Sequence, residues 1–176
     1  MRRLVLLTSV VLALALLPGT AHASCPWAGS HPSSVSKLQV LVATYCLVNS
    51  ERTRRGLRPL SYNTRLGEAA GSHASDMVRR HYFSHVTPGG GTLVDRIRRT
   101  GYLVGARWWT VGENIAWGSG GYATPSSIVR AWMNSSGHRS NILSTRFRET
   151  GLGVALGSPF GHARAATYVN TFGARG

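Results

Sequence analysis

Acid is what this sequence has least of. Six carboxylate side chains, Glu51, Glu68, Asp76, Asp95, Glu113 and Glu149, stand against 20 Lys and Arg in 176 residues, giving a formal net charge of +14. Any mechanism built on paired carboxylates has to draw on those six. Lysine is nearly missing too, with Lys37 alone among the basic residues, and cysteine is confined to Cys25 and Cys46. There is no Gly-x-Ser-x-Gly elbow, which argues against the common serine-hydrolase layout. The glycines at Gly118, Gly120 and Gly121 precede a helix without the lysine of a phosphate loop. No zinc finger or RNA-binding signature accompanies the charge, so nucleic acid is not an expected partner.

Long apolar runs are absent after the first one. Arg2 and Arg3 precede the stretch from Leu4 to Leu17, which is followed by Pro18-Gly19 and the small-residue pattern Ala21-His22-Ala23. Basic, apolar, then small is the order of a secretory signal peptide, here residues 1–23. The apolar run is too short to span a bilayer, so no transmembrane segment is expected. The expected product is secreted, extracellular and monomeric. In an oxidising compartment two thiols most often pair, which predicts a Cys25–Cys46 disulfide; the alternative is two separate buried or free cysteines.

Arginines cluster at Arg52, Arg54, Arg55 and Arg58, at Arg79–Arg80, and at Arg96, Arg98 and Arg99. Such clusters attract anionic wall polymers or lipid head groups, or they are simply a solvated face.

Residues 24–34, rich in Pro, Ser and Gly, read as an N-terminal tether ahead of a domain over 35–176. Val35 to about Arg55 predicts a largely apolar, buried helix ended by Gly56 and Pro59. A second helix runs from near Asn63 to near Tyr82, with Leu66, Ala70, His73 and Met77 on one face. His73 on that stripe reads as a buried, hydrogen-bonded histidine with Asp76 as a possible partner. Thr92 caps a short helix to about Thr100. Thr124-Pro125 opens another to about Asn134, and a further turn covers His138 to Leu143. Strands are expected at 150–156 and 166–172, with a third candidate around Trp108–Val111. Helices with a small antiparallel sheet make an α+β domain.

Three islands carry the chemistry: Tyr82-Phe83-Ser84-His85, Gly112-Glu113-Asn114-Ile115-Ala116-Trp117-Gly118, and Trp132 to Leu143 with Gly137-His138-Arg139-Ser140-Asn141 at its centre. Each sets a titratable side chain at an element boundary, where side chains can converge on a cleft. His and Glu suit proton transfer. Two imidazoles and a carboxylate are also a zinc set with a position left for water. Plainer uses exist: His85 as a cap to the second helix, Glu113 holding backbone N–H groups in a glycine-flanked turn, and His138 with Asn141 bracing the turn that follows. Trp108, Trp109 and Trp117 bracket Glu113 and are expected at the cleft border.

In this order, and with Asn49-Ser50-Glu51-Arg52, Gly151-Leu152-Gly153-Val154 and Asn170-Thr171-Phe172-Gly173, the islands resemble the bacterial branch of the CAP superfamily (cysteine-rich secretory, antigen and pathogenesis-related proteins) over residues 38–173. The resemblance implies an α-β-α sandwich. Its central cleft in eukaryotic members is lined by two His and two Glu that in some cases hold zinc. Carried over, the cleft and ligand-binding residues are His85, Glu113, Asn114, His138 and Asn141, with His85, Glu113 and His138 as candidates for catalysis and for metal. The helix after Pro125 has no acid, and Asn134 or Ser135 stands near the place of the second glutamate. Zinc would therefore be held weakly or not at all. The implied function is binding of an extracellular lipid, glycan or anionic wall polymer through the cleft and basic surface. The alternative is a zinc-assisted, peptidase-like hydrolase using the same cleft.

Overall fold

A computed structural model describes residues 25–176, so the leader expected over 1–23 lies outside the described residues. Five α-helices follow one another with their starts written in the sequence: α1 (Lys37–Thr53), α2 (Thr64–Arg79), α3 (Leu93–Arg99), α4 (Pro125–Asn134) and α5 (Ser136–Leu143). Ser36 and Gln39 form a capping box on α1, Thr92 and Asp95 form another on α3, the Asn63 side chain accepts from the first amides of α2, and Thr124 caps α4. These caps satisfy amides that the helix itself leaves unpaired.

Four strands, β1 (Ser61–Tyr62), β2 (Trp109–Ser119), β3 (Glu149–Leu156) and β4 (Ala165–Arg175), form one sheet in the order β1-β3-β4-β2. The sheet is mixed, which corrects the antiparallel expectation: β2, β4 and β3 are antiparallel, but β1 pairs parallel with β3 at Ser61↔Glu149 and Tyr62↔Thr150. Two residues are too few to show a period-two pattern, so β1 was not legible. The short third strand expected near Trp108–Val111 is instead the eleven-residue β2, paired along its whole length with β4 from Trp109↔Arg175 to Ser119↔Ala165. Glu113 and Asn114 therefore sit inside a strand, not in a turn. The flanking glycines are there for space: a Cβ at Gly112 would meet the Phe147 ring, and one at Gly118 the Tyr122 carbonyl.

Helices cover both faces, giving the expected α-β-α sandwich. On one face α1, α4 and α5 contribute Val40, Val48, Ile128, Val129, Trp132 and Ile142 to a cluster closed by Phe147, Val154, Tyr168 and Phe172. On the other, α2 lays Ala70, Ala74 and Met77 on Ile115 and Val169, while Leu66 and Ala69 meet Ile97 of α3 and Tyr102. Central β4 is buried from Ala165 to Ala174. In α1 the buried column Val40, Thr44, Val48 ends in Arg52, whose residue surface is 2% exposed. Its Nε donates to the Arg58 carbonyl, and its Nη1 donates to the carbonyls of Ile142 and Ser144 at the end of α5. A cation on those carbonyls complements the C-terminal end of the α5 dipole.

The stretch expected as a tether is fastened at three points. Cys25 is disulfide-bonded to Cys46 in α1. Ser126 N–H donates to the Ala28 carbonyl at 2.8 Å, and His31 Nε2–H donates to the Arg164 carbonyl at 3.0 Å. Composition suggested a linker, yet the same Pro, Ser and Gly residues build a tight turn and a 3-10 segment (Pro32–Ser34) against the body. Closing a loop of this length stabilises the chain by about 3 kcal/mol through the unfolded state.

Helix α2 lies so close on β3 that a Cβ at Gly151 or Gly153 would run into the backbone of Leu66–Gly67 or Ala70–Gly71. Gly153→Ala is expected to cost about 2 kcal/mol by overpacking, read as a lower denaturation midpoint. A variant as stable as its parent would mean that helix and strand do not meet this closely.

Candidate functional site

The site is assembled where α2 ends. Arg80 closes the helix, His81 turns the chain at φ 54°, and the following loop folds back so that the Ser84 carbonyl accepts from His73 Nε2 at 3.0 Å. That return places His85 beside β2, where its Nδ1 lies 2.8 Å from Glu113 Oε1. Helix α3 supplies the third member. Arg96 Nη2 donates to Glu113 Oε1 at 3.0 Å and to Oε2 at 2.8 Å, while its Nη1 donates to the His85 carbonyl at 3.0 Å. One guanidinium thus holds both the carboxylate and the loop that carries the imidazole. The Glu113 side chain is 3% exposed and that of Arg96 5%, whereas the His85 side chain is 53% exposed. The acid is sealed in and the imidazole looks outward.

Behind this trio lies a second layer. His73, fully buried, has Nε2 3.9 Å from Glu113 Oε1. Its donation to Ser84 leaves Nδ1 bare, 3.4 Å from the Tyr82 hydroxyl. Tyr82 O–H donates to Asp76 Oδ2 at 2.8 Å, which spends its one proton, so Asp76, expected beside His73, is bonded to Tyr82 and not to the imidazole. Burial and then Asp76 push the Tyr82 hydroxyl up to about 12. Burial alone would raise Asp76, but the Tyr82 hydroxyl, Arg80 and Arg79 hold it below the usual carboxylate value. Burial lowers His73. Glu113 pulls it back, Arg96 lowers it, the Ser84 carbonyl raises it and His85 lowers it again, leaving it below 6.5.

His138 approaches from the other face. Burial lowers the His138 pKa, and nearby His85 lowers it further. Asn114, expected at the ligand surface, is instead part of the scaffold, and Asn141 takes the bracing role that was the plainer of its two expected uses. Asn114 is fully buried and donates to the His138 carbonyl at 3.0 Å. Asn141 donates to the Asn114 side-chain oxygen at 2.9 Å and to the Glu113 carbonyl at 3.2 Å. Strand alternation explains the correction, since Asn114 points away from the face that Glu113 serves. Trp117, expected at the cleft border, is stacked on His162 with centroids 4.9 Å apart. Hollows of about 480, 590 and 360 Å³ are lined by residues other than His85, Glu113 and His138.

The zinc implied by the resemblance does not suit these donors. Both Glu113 oxygens already accept from a guanidinium cation, and a divalent ion bound there would stand against that charge. Among the described residues no three His, Cys, Asp or Glu side chains gather as a metal-binding group. What the arrangement offers is an imidazole held in one orientation by a buried, charge-compensated carboxylate. When Nδ1–H donates to Glu113, Nε2 is left outward as acceptor or base. Arg96 was missed by sequence reasoning, which grouped it with the surface cations. The available signal was its place with Leu93 and Ile97 at i, i+3, i+4 on the inward stripe of α3.

Residues 45–170 match the model of the cysteine-rich secretory protein family, CAP. The chain is 40% identical over 124 residues to protein YkwD of Bacillus subtilis, covering 70% of this chain and 45% of that one. It spans less than half the length of the curated relatives it matches. Among solved structures, an extracellular protein of Bacillus anthracis containing an SCP domain superposes with a TM-score of 0.63 at 29% identity, covering 78% of this chain and 43% of that one. An outer surface protein of Borrelia burgdorferi shares the fold, with a TM-score of 0.66 at 19% identity over 81% of this chain and 97% of that one.

Removing one partner of a buried ion pair leaves an uncompensated charge. Arg96→Met should therefore cost about 3 kcal/mol, and adding Glu113→Gln should recover part of it; simple addition of the two single losses in denaturation would deny the pairing. A second expectation concerns pH. With its folded pKa below 6.5, His73 refuses a proton that the unfolded chain accepts, so its contribution is complete above that value and drains as pH falls toward the folded pKa. His138 acts in the same sense. Stability measured from pH 7 to pH 5 should fall less steeply in His73→Gln than in the parent, and an unchanged slope would remove His73 from the account.

Proposed function

The chain belongs to the cysteine-rich secretory protein (CAP) family, and we propose that it acts outside the cell as a ligand-binding domain that contacts its ligand through the His85 imidazole. The observation carrying this reading is the His85–Glu113–Arg96 arrangement, in which a sealed ion pair fixes a ring whose side chain is half exposed. A ring oriented from behind loses little freedom when a partner docks on its open nitrogen. The ligand class is an extracellular lipid, glycan or anionic wall polymer, with the arginine-rich surface drawing in anionic ones. Secretion is supported by the leader pattern, by the extracellular and outer-surface relatives, and by the lack of any helix among the described residues long and apolar enough to cross a membrane. Fold alone does not assign chemistry. The guanidinium on Glu113 disfavours the alternative of a zinc-assisted hydrolase.

The test uses purified bacterial wall sacculi and, for lipid, vesicles of phosphatidylcholine alone. His85→Ala is expected to weaken binding about tenfold, the loss of one good hydrogen bond to a charged partner, while circular dichroism still shows a folded domain. Chelator should have no effect. Binding that survives His85→Ala and vanishes at high salt would assign the interaction to surface charge alone and sink the reading.

A further inference from the structure

A hollow of about 590 Å³ opens on the opposite side of the sheet from Glu113, where the chain leaves α1 and where it enters β3. Three arginines line it, Arg52, Arg58 and Arg148, with Phe147 and Leu57 as apolar wall, and no carboxylate is among its lining residues. Arg52 is the unusual member. It is buried, it has no acidic partner among the described residues, and its Nε and Nη1 are occupied by three backbone carbonyls. Those bonds fix the guanidinium, and among the described residues Nη2 has no hydrogen-bond partner. Arg52 is itself among the residues that line the hollow.

The neighbouring acids are committed elsewhere. Glu51 pairs with Arg54 and Arg55, and Glu149 accepts from Asn63 at 2.7 Å and from Tyr102 at 2.6 Å. A buried cation with a free donor, beside two exposed ones and no acid, leaves a local excess of positive charge inside a concave site. Planar guanidinium forks match tetrahedral oxyanions, and three of them suit a group with several anionic oxygens better than a lone carboxylate. The volume falls within the range of about 300–1,000 Å³ typical of small-molecule sites and exceeds what a bare anion fills. Phe147 and Leu57 are placed to cover an attached organic body. We propose that this hollow binds a phosphate group carried on a compact organic body, with Arg52 as the fixed donor at its base and Arg58 and Arg148 closing over it. The site is separate from His85 and does not depend on the function proposed above.

Calorimetry with inorganic phosphate and glycerol 1-phosphate, and flotation with phosphatidylglycerol vesicles, test it on the purified protein. Saturable binding of the soluble probes would identify a free phosphate ester, and binding only to vesicles a lipid headgroup. Arg58→Ala and Arg148→Ala, both at exposed positions, are each expected to weaken binding about tenfold and together to abolish it. His85→Ala should leave it within about twofold, as should Arg107→Ala and Arg130→Ala, which remove the same charge from other exposed positions. Melting curves confirm that each variant is folded. The proposal is overturned if none of the three probes binds saturably, or if the control arginines matter as much as Arg58 and Arg148, which would mean diffuse attraction to the surface.

Discussion

The contact between Arg96 and Glu113 is the constraint on which the functional face depends. A carboxylate whose side chain is 3% exposed cannot stay charged in a protein interior without a partner, and here the partner is a guanidinium buried almost as deeply. The same Arg96 reaches the carbonyl of His85, so α3, the loop after α2 and the edge strand β2 are joined through one side chain. Buried ion pairs of this kind add little net stability compared with apolar packing, but they fix geometry, since every alternative arrangement strands a charge. With only six acids in the chain, committing one of them to the interior is a strong choice.

That choice also changes how the cationic composition is understood. Arg52 and Arg96 both belong to clusters that composition assigns to the surface, yet both are buried, one on carbonyls and the other on a carboxylate. The remaining arginines supply the long-range attraction, while these two act at contact distance. The two buried cations use different counter-groups, and the difference matters. Arg96 is electrically balanced by Glu113. Arg52 is balanced only by backbone dipoles and retains an outward pull on anions.

Much of the architecture could be read directly from residue patterns. The stripe Leu66, Ala70, His73, Met77 located the buried face of α2, and Asn63, Thr92 and Thr124 marked where helices begin. The pairing of His85 with Glu113 was an expectation of the family resemblance, and the two side chains do meet. What escaped has physical reasons. Gly112, Gly118 and the Glu-Asn pair look like turn formers because local propensity cannot see that Phe147 and the Tyr122 carbonyl need the space. The inward direction of Arg96 and Arg52 was present as helical spacing but masked by charge, which single-sequence reasoning sends to solvent by default. Asn114 was misplaced because strand alternation could not be applied to a segment not recognised as a strand, whereas the bracing role of Asn141 was one of the two uses its sequence position suggested.

The fastening of residues 25–34 has a geometric corollary. The disulfide to α1 and the bond between Ser126 and Ala28 fix the start of the described chain on the layer formed by α1 and α4. His85 is carried on the other layer, beside α2 and α3. Cys25, where the described residues begin, therefore lies across the sheet from His85. A molecule docked on the Cys25 side would leave the exposed imidazole free to meet partners arriving from solution.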